Sequence, residues 1–384
     1  MVWTEKSLVS QRQEFVLMAA QEGANVRALC RQFGVSPKTG YKWIKRYAAE
    51  PTLAAVQDRS RRPLDSPSRS PEAVERVVVE LRQAHPAWGG RKIARRLADL
   101  GHDQLAPSTV TRILHRHGLI APEASEAAQP WQRFEHDVPN SLWQIDFKGD
   151  FATLAGRCHP LTLLDDHSRF NLVLHAHART DTTRVQPQLE AALRLYGLPV
   201  RINADNGSPW GSPRSGAQGG SLSALAVWLI RLGIRVSFSA PYHPQTNGKI
   251  ERFHRSLKAE VLAGRHFTDH ASAQRAFDAW REVYNCQRPH EALDSAVPAQ
   301  RYRPSVLAYP EQFAPIEYPS GDEVVTVGWN GFINWRGRSI RASTALHRLP
   351  IGLRAQPEED GVFDAYFCHQ RFMRIDLREP VQET

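Results

Sequence analysis

Three acidic residues stand in sequence contexts where a carboxylate could do chemistry. Asp146 lies inside a predicted strand, 142–151, where a buried carboxylate is costly unless a cation or a polar partner compensates it. Asp205 ends another predicted strand, 200–204, and ligands bind at the carboxyl edge of open α/β sheets. Glu251 lies in the first turns of a predicted helix. Carboxylates in such places favour a site for a hard divalent cation.

Each of these carboxylates, taken alone, has an ordinary structural explanation: a hydrogen-bonded strand residue, an Asp-Asn-Gly turn, or a surface Glu-Arg pair. The helix adds a geometric argument. At about 100° per residue, Glu251, Arg255 and Lys258 fall on one narrow face. The face predicted to pack on the sheet lies about 120° away and carries Ile250, Phe253, Leu257 and Val261. A carboxylate followed by two cations on one ridge is what a nuclease-like site needs.

The segments around these residues predict an α/β domain over 138–298 in which strands and helices alternate to form a mixed sheet. The predicted strands are 142–151, 160–164, 170–175, 200–204 and 234–239, and the predicted helices are 184–196, 221–232, 247–262 and 272–285. Residues 299–316 are a predicted linker. The last segment, 317–384, has short strands broken by Gly and Asp-Gly turns, which predicts a small β-barrel.

Two helical segments precede this domain. Residues 1–50 predict three helices, the last of them basic and preceded by the turn 34–37, as in a helix-turn-helix; Tyr41, Ile44 and Tyr47 would face inward. Residues 72–120 predict a second helix-turn-helix. Residues 51–71 and 121–137 are predicted linkers. The first of them is basic and Pro-rich, and nothing in it is able to bury a core. The candidate DNA contacts are Ser36, Lys38, Thr39, Lys42, Lys45, Arg46, Arg61, Arg62, Arg91, Lys92, Ser108 and Arg112. A helical bundle with a charged exterior is the alternative.

The charge distribution favours a nucleic-acid partner. The 384 residues carry a formal net charge of +9; residues 1–121 hold 20 Lys and Arg against 11 Asp and Glu, whereas the remainder holds 29 of each. A basic arm on a neutral body is typical of DNA binding, with a basic solvated surface as the alternative. The 4 Cys have no paired spacing, which disfavours disulfides and structural zinc and favours a reducing cytosol. The sequence contains neither a signal peptide nor a membrane-spanning run, so we expect a cytoplasmic protein.

Three strings around the carboxylates carry a family resemblance: WQIDFKGD (143–150), NADNGSPWG (203–211) and YHPQTNGKIERFHRSLK (242–258). They resemble the integrase-type catalytic core of DDE transposases from bacterial insertion sequences, the core shared with retroviral integrases. The likeness is strongest to insertion-sequence family four-eighty-one, near family three, and implies an RNase H-like fold for 138–298. The 45 residues between Asp205 and Glu251 exceed the spacing common in the wider family. We assign the extra length to a Gly-, Ser- and Pro-rich loop near 208–220.

The resemblance implies an enzyme that cuts DNA at the ends of its element and joins the freed 3′ hydroxyls to target DNA. It implies that Asp146, Asp205 and Glu251 are the catalytic residues and ligate two Mg²⁺ ions, with Mn²⁺ as a substitute. The implied partners are double-stranded DNA, at the terminal inverted repeats and at the target, and further copies of the chain. The implied location is the bacterial cytoplasm, on the nucleoid when bound to DNA.

The resemblance also implies roles for residues near Glu251. Arg255 and Lys258 become candidates for phosphate contacts near the scissile bond. An active-site loop is implied for Tyr242, His243, Gln245 and Asn247, although loop packing explains His243 and Asn247 equally well.

Two other functions stay open at the level of the sequence. A helix-turn-helix regulator without catalysis, such as a domesticated transposase, would explain the basic arm but not three matched carboxylates. An RNase H-like nuclease would use the same metal chemistry but would not need two DNA-reading domains.

Overall fold

The computed structural model describes residues 8–59, 69–102, 105–120, 136–205, 207–211, 222–238 and 248–379. The chain divides into two compact units, Met1–Ser70 and Pro71–Thr384. Six of the predicted functional residues lie outside the described residues: Arg61, Arg62, Tyr242, His243, Gln245 and Asn247. Most of the predicted loop near 208–220 also lies outside them.

Within residues 8–59, the first unit contains three helices and one 3₁₀ turn. They are α1 (Leu8–Ala19), α2 (Val26–Gln32), α3 (Pro37–Ala49) and the turn Leu53–Val56. Local sequence explains where α2 and α3 begin. The side chains of Asn25 and Ser36 accept hydrogen bonds from the amides of Ala28 and Thr39, and Pro37 opens α3. The predicted three-helix pattern is present.

Two details of this unit differ from the prediction. Tyr41 is exposed, and Trp43 is the buried aromatic of α3, because the inward stripe of the helix runs through Gly40 and Trp43. The segment after α3 is not wholly a linker, since Ala55 and Val56 are buried against α1 and α3. The prediction that nothing in 51–71 can bury a core was therefore wrong.

The second helical domain belongs to the larger unit and consists of α4 (Glu72–Ala84), α5 (Gly90–Asp99) and α6 (Pro107–Arg116). Their apolar stripes meet in a core that includes Val78, Trp88, Ile93, Leu97 and Leu114, all fully buried.

One side of α5 faces the α/β domain. A guanidinium nitrogen of Arg96 donates to Gln287, and Arg91 is 3.4 Å from a carboxylate oxygen of Glu291. The outer side of α6 exposes Ser108 and Arg112. Of the two helices, α6 therefore carries the accessible polar face.

The α/β domain is built on a mixed sheet, as predicted, but the described residues form six strands where five were predicted. Its strands are β1 (Trp143–Phe147), β2 (Phe151–Thr153), β3 (Gly156–Asp165), β4 (Asn171–His177), β5 (Arg201–Ala204) and β6 (Arg235–Phe238). They lie in the order β2-β3-β1-β5-β6, with β4 also paired to β3. The pairs β1–β5 and β5–β6 are parallel, and the others are antiparallel. The predicted strand 142–151 is thus two strands, β1 and β2.

Helices cover both faces of this sheet. They are α7 (Thr182–Tyr196), α8 (Ala224–Arg231), α9 (Gly248–Leu257), α10 (His270–Cys286) and the short α11 (Pro298–Arg301). Helices α7 and α8 share a core with one face, and α9 and α10 with the other. A π-helical turn, Lys258–Leu262, continues α9. The predicted packing face of α9 and this turn is buried: Ile250, Phe253, Leu257 and Val261.

The C-terminal region is rich in strands: β7 (Glu323–Thr326), β8 (Phe332–Trp335), β9 (Arg338–Arg341), β10 (Pro350–Ala355), β11 (Val362–Phe367) and β12 (Gln370–Asp376). They form an antiparallel sheet in the order β12-β11-β10-β7 and a separate β8–β9 hairpin. Within the described residues no pairing joins β7 to β12, so the predicted closed barrel is not confirmed.

The C-terminal region is packed onto the α/β domain. Ser343 donates to the carbonyl of Leu222, and Ile351 and Phe363 belong to the same apolar core as α7 and α8. The predicted linker 299–316 is also attached, because the amide of Leu198 donates to the carbonyl of Leu307. None of the described helices is long and apolar enough to cross a membrane.

We expect Val56→Ala to lower the free energy of unfolding of the first unit by about 1–3 kcal/mol, because it empties part of a fully buried site. Leu53→Ala is the matched control, since Leu53 lies in the same turn and is 53% exposed. Native-state hydrogen exchange of the α1–α3 amides in the full chain measures both. Equal effects of the two variants would contradict the buried position of Val56.

Candidate active site

The pairing of β1 with β5 brings two of the predicted carboxylates together. Trp143 pairs with Ile202 and Gln144 with Asn203 in a parallel ladder. The same register, continued by two residues, sets Asp146 beside Asp205 at the carboxyl end of β5. The ladder itself ends at Gln144 and Asn203, and Asp205 directly follows β5.

The electrostatics of Asp146 agree with a site that brings the three predicted carboxylates near one another. Its side chain is 25% exposed. Burial raises the pKa of Asp146 to about 7, and the negative charges of Asp205 and Glu251 add to that rise, whereas a hydrogen bond from the Phe147 amide opposes it. Glu251 lies in the first turn of α9 and is exposed, as is Asp205.

A buried polar cluster holds the first turn of α9 against the sheet. Asp166 is 2% exposed; its carboxylate forms an ion pair with the Lys249 ammonium and accepts a 2.9 Å hydrogen bond from the Gln144 amide group. The side-chain oxygen of Gln144 in turn accepts from the Ile250 amide at 3.3 Å. Since Gln144 lies two residues before Asp146 and Ile250 one residue before Glu251, this cluster sets the distance between the two carboxylates.

A second contact joins the middle of α9 to the sheet. The Thr162 hydroxyl donates to the carbonyl oxygen of Asp146 at 2.8 Å, so it can only accept at its other contact, 2.8 Å from Nε2 of His254. This assigns the proton of the neutral imidazole to Nε2 and leaves Nδ1 bare, 3.9 Å from a carboxylate oxygen of Asp146. Burial, with the nearby Lys148 charge, lowers the pKa of His254 to about 3 and keeps the ring neutral.

Neither contact was predicted from the sequence. The only sequence signal was the position of His254 three residues after Glu251, one helical turn along α9. Asp165 and Asp166, which follow one another at the end of β3, are both buried and hydrogen-bonded.

The predicted DNA contacts that the structure describes lie along α9 and the turn that continues it, on α3, and on the second helical domain. On α9, Arg255 and Lys258 are exposed along the Glu251 ridge, as the helical spacing predicts. On α3, Lys38, Lys42 and Lys45 are exposed. The remaining α3 candidates are partly used within their own domain: Ser36 caps the helix and bonds Thr39, and Arg46 lies 5.0 Å above the Trp43 ring.

Two predicted contacts on α5 lie where the second helical domain meets the α/β domain. Arg91 is paired with Glu291, as described above. Lys92 is partly buried there, and burial together with the positive charge of Arg288 lowers its pKa to about 8. They line a junction between domains, whereas Ser108 and Arg112 lie on the open face of α6.

The carboxylates match the chemistry of a hard divalent cation, because they offer only oxygen donors and repel one another when no cation is bound. Within the described residues, no three acidic, His or Cys side chains are close enough to hold one ion together. Asp146, Asp205 and Glu251 therefore do not form a closed set of ligands in this structure.

Protein-family models match the two helical segments, the α/β domain and the C-terminal region of this chain. A helix-turn-helix domain model matches residues 11–63, and a homeodomain-like domain model matches 39–114. Two integrase core domain models match 136–244 and 232–298. The model for the C-terminal domain of IS481 family transposases matches 322–383.

The chain is similar to proteins of other insertion elements. It is 26% identical over 259 residues to the uncharacterized 39.2 kDa protein of IS476 from Xanthomonas euvesicatoria, which covers 65% of this chain and 70% of that protein. It is 27% identical over 244 residues to the uncharacterized 31.7 kDa protein of IS407 from Burkholderia multivorans, covering 61% and 82%. The Pro-Pol polyprotein of simian foamy virus type 3 is 29% identical over 151 residues, covering 38% and 12%.

Solved retroviral structures show a weaker likeness. The magnesium-bound catalytic core of HTLV-2 integrase matches with 16% identity and a TM-score of 0.33, covering 44% of this chain and 99% of that one. A chain of the simian T-cell lymphotropic virus intasome matches with 16% identity and a TM-score of 0.39, covering 78% and 96%. Both TM-scores are below 0.5, so the fold assignment depends on the strand pairing described above.

An integrase catalytic core that follows helix-turn-helix domains defines a DNA transposase of the polynucleotidyl transferase class. The match of its C-terminal domain and its insertion-element relatives support a transposase of the IS481 family.

We expect Asp146→Asn to stabilise the protein in EDTA, and more so at pH 8 than at pH 5. The raised pKa of Asp146 means that its contribution to stability is full below about pH 4 and is lost as the pH rises towards 7. The expected gain at pH 8 is about 1–3 kcal/mol, or a few degrees in Tm by differential scanning calorimetry. The exposed Asp360→Asn is the control. A gain that does not depend on pH would contradict the assignment.

We expect Lys249→Met to lower the free energy of unfolding by about 3–5 kcal/mol, because it leaves the Asp166 carboxylate buried without its cation. Urea unfolding of the full chain is the measurement. Lys258→Met, an exposed change in the turn that continues α9, should cost less than about 1 kcal/mol. If both variants unfold alike, the buried pair does not anchor α9.

Proposed function

We propose that this transposase cuts DNA at both ends of its insertion sequence and joins the freed 3′ hydroxyls to target DNA at the site formed by Asp146, Asp205 and Glu251. The observation that supports this most strongly is the β1–β5 register, which brings Asp146 beside Asp205. The influence of Glu251 on the pKa of Asp146 adds the third carboxylate to the same region.

Two Mg²⁺ ions, or Mn²⁺ in their place, are the cofactor that this donor set suits. When bound, the ions stabilise the negative charge on the attacking and leaving oxygens of an in-line displacement at phosphorus. The residues that would hold them are Asp146, Asp205 and Glu251. A bound cation would offset the repulsion between their carboxylates.

Other residues of this chain orient the reacting groups. The Asp166–Lys249–Gln144 cluster and the Thr162–His254 contact hold α9 in place, so Glu251 keeps its position opposite Asp146. His254 contributes a neutral ring whose bare Nδ1 faces the carboxylate. It therefore adds no positive charge to compete with a cation.

Double-stranded DNA is the proposed substrate and partner. The exposed basic face of α3 and the open face of α6 suit recognition of the terminal inverted repeats, while Arg255 and Lys258 suit phosphates near the scissile bond. Tyr242, His243, Gln245 and Asn247 remain proposed contributors to the loop before α9. A second copy of the chain would pair the other end of the element, and the bacterial nucleoid is the proposed location.

We expect Asp146→Asn, Asp205→Asn and Glu251→Gln each to reduce strand cleavage by about 10²-fold or more. Loss of a partner outside the ligand shell commonly costs about 10–100-fold, and loss of a ligand costs more. The measurement is nicking of a plasmid carrying the element, with Mg²⁺ and with EDTA. Binding of end DNA, followed by fluorescence anisotropy in EDTA, should stay unchanged.

This experiment separates the transposase from a DNA-binding regulator. Retained cleavage in all three variants would remove the proposed roles of these carboxylates. Wild-type protein that binds the ends but does not nick them with either Mg²⁺ or Mn²⁺ would favour the regulator.

A further inference from the structure

Trp210 packs on the face of the sheet that is opposite to α9. Its side chain is 4% exposed and belongs to the apolar core that α7 and α8 share with the sheet. The indole stands against the ring of Phe147, with 5.8 Å between the ring centroids and 32° between the ring planes. Aromatic pairs at this separation attract one another. Because Phe147 directly follows Asp146 on β1, Trp210 is in contact with the strand that carries the first of the proposed carboxylates.

The same indole borders a small apolar cavity that touches both β1 and β5. Ile145 and Ala204 line this cavity together with Trp210. Ile145 directly precedes Asp146, and Ala204 directly precedes Asp205. Since side chains alternate along a strand, Ile145 points to the face opposite Asp146. Trp210 therefore supports both acidic positions from the opposite face of the sheet.

The backbone around Trp210 also contacts Asp205. The amide of Gly207 donates to Oδ1 of Asp205 at 3.0 Å. The carbonyl of Gly207 in turn accepts hydrogen bonds from the amides of Trp210 and Gly211, both at 3.0 Å. A backbone amide that donates to a carboxylate restrains its orientation, as in an Asx turn. The position of the indole is therefore linked to the orientation of the Asp205 carboxylate.

The segment that contains Trp210 is attached both to α8 and to the C-terminal region. The hydroxyl of Ser223, at the start of α8, donates to the carbonyl of Trp210 at 2.6 Å. Gly211 forms an isolated antiparallel bridge with Leu222, whose carbonyl accepts a hydrogen bond from the Ser343 hydroxyl at 2.7 Å. Residues 207–211 are thus a restrained connection between the apolar core and Asp205.

We infer that Trp210 is a positioning residue, which fixes the separation and orientation of Asp146 and Asp205 and so sets the affinity of the site for a divalent cation. This inference rests on the proposed function, because it takes both carboxylates as ligands of the cation. The indole acts on one carboxylate through Phe147 and on the other through Gly207. Replacement of residues that orient metal ligands commonly lowers metal affinity by about 10–100-fold.

The test is the binding of Mn²⁺ to the full chain without DNA, measured from the electron paramagnetic resonance signal of the free ion. This measurement does not depend on cleavage. We expect Trp210→Ala to raise the Kd for Mn²⁺ by about 10–100-fold, because the carboxylates lose their fixed spacing. Trp210→Phe keeps an aromatic ring against Phe147 and should restore most of the affinity.

Leu189→Ala is the matched control for a loss of stability. Leu189 is fully buried in the same apolar core, but it lies on α7 and does not line the cavity beside Trp210. Both Ala variants should have a lowered Tm, whereas only Trp210→Ala should bind Mn²⁺ more weakly than the wild type. Equal Kd values for the two variants, at a temperature at which both are folded, would overturn the inference. If Trp210→Ala does not fold, Trp210→Leu replaces it under the same criterion.

Asp146→Asn, measured in the same way, separates this inference from the proposed function. Weaker Mn²⁺ binding by Asp146→Asn, together with unchanged binding by Trp210→Ala, would overturn the role of Trp210 and leave the proposed ligands in place. Unchanged binding by Asp146→Asn would refute the proposed ligands, and the role of Trp210 would be refuted with them.

Discussion

Repulsion between carboxylates is the constraint on which the rest of this structure depends. The parallel register of β1 and β5 sets Asp146 beside Asp205, and α9 adds the charge of Glu251. Such an arrangement destabilises the protein when no cation is bound, since like charges in a partly buried site disfavour ionisation. Other interactions must therefore hold the site together, and the structure shows two sets of them.

Both sets connect α9 to β1 and β3. Neither set places an unpaired positive charge among the carboxylates. The Lys249 ammonium is neutralised by Asp166 on the far side of the first turn, and His254 is neutral. Gln144 contacts both the cluster and the α9 backbone through its two side-chain atoms. The positive charge in the immediate centre of the site is consequently left for a divalent cation to supply.

The cations of α9 and the turn that continues it lie on two faces. Arg255 and Lys258 lie along the ridge of Glu251, whereas Arg252 and Ser256 face the junction with α5. The second helical domain and the α/β domain belong to one compact unit, and Arg91 and Arg96 contact the region after α10.

Sequence alone predicted most of the helices and strands of the α/β domain, since apolar periodicity and capping residues are local properties. It also proposed Asp146, Asp205 and Glu251 as site residues, because their local contexts resemble a known family, and it predicted the buried face of α9 from helical spacing. Tertiary structure decided what local patterns cannot express. The burial of Val56 depends on a core that other helices complete, the open C-terminal sheet depends on which strands pair, and His254 acquires its tautomer only from Thr162 across the sheet. Each of these depends on contacts between residues that are distant in the chain, and no spacing along the chain specifies such contacts.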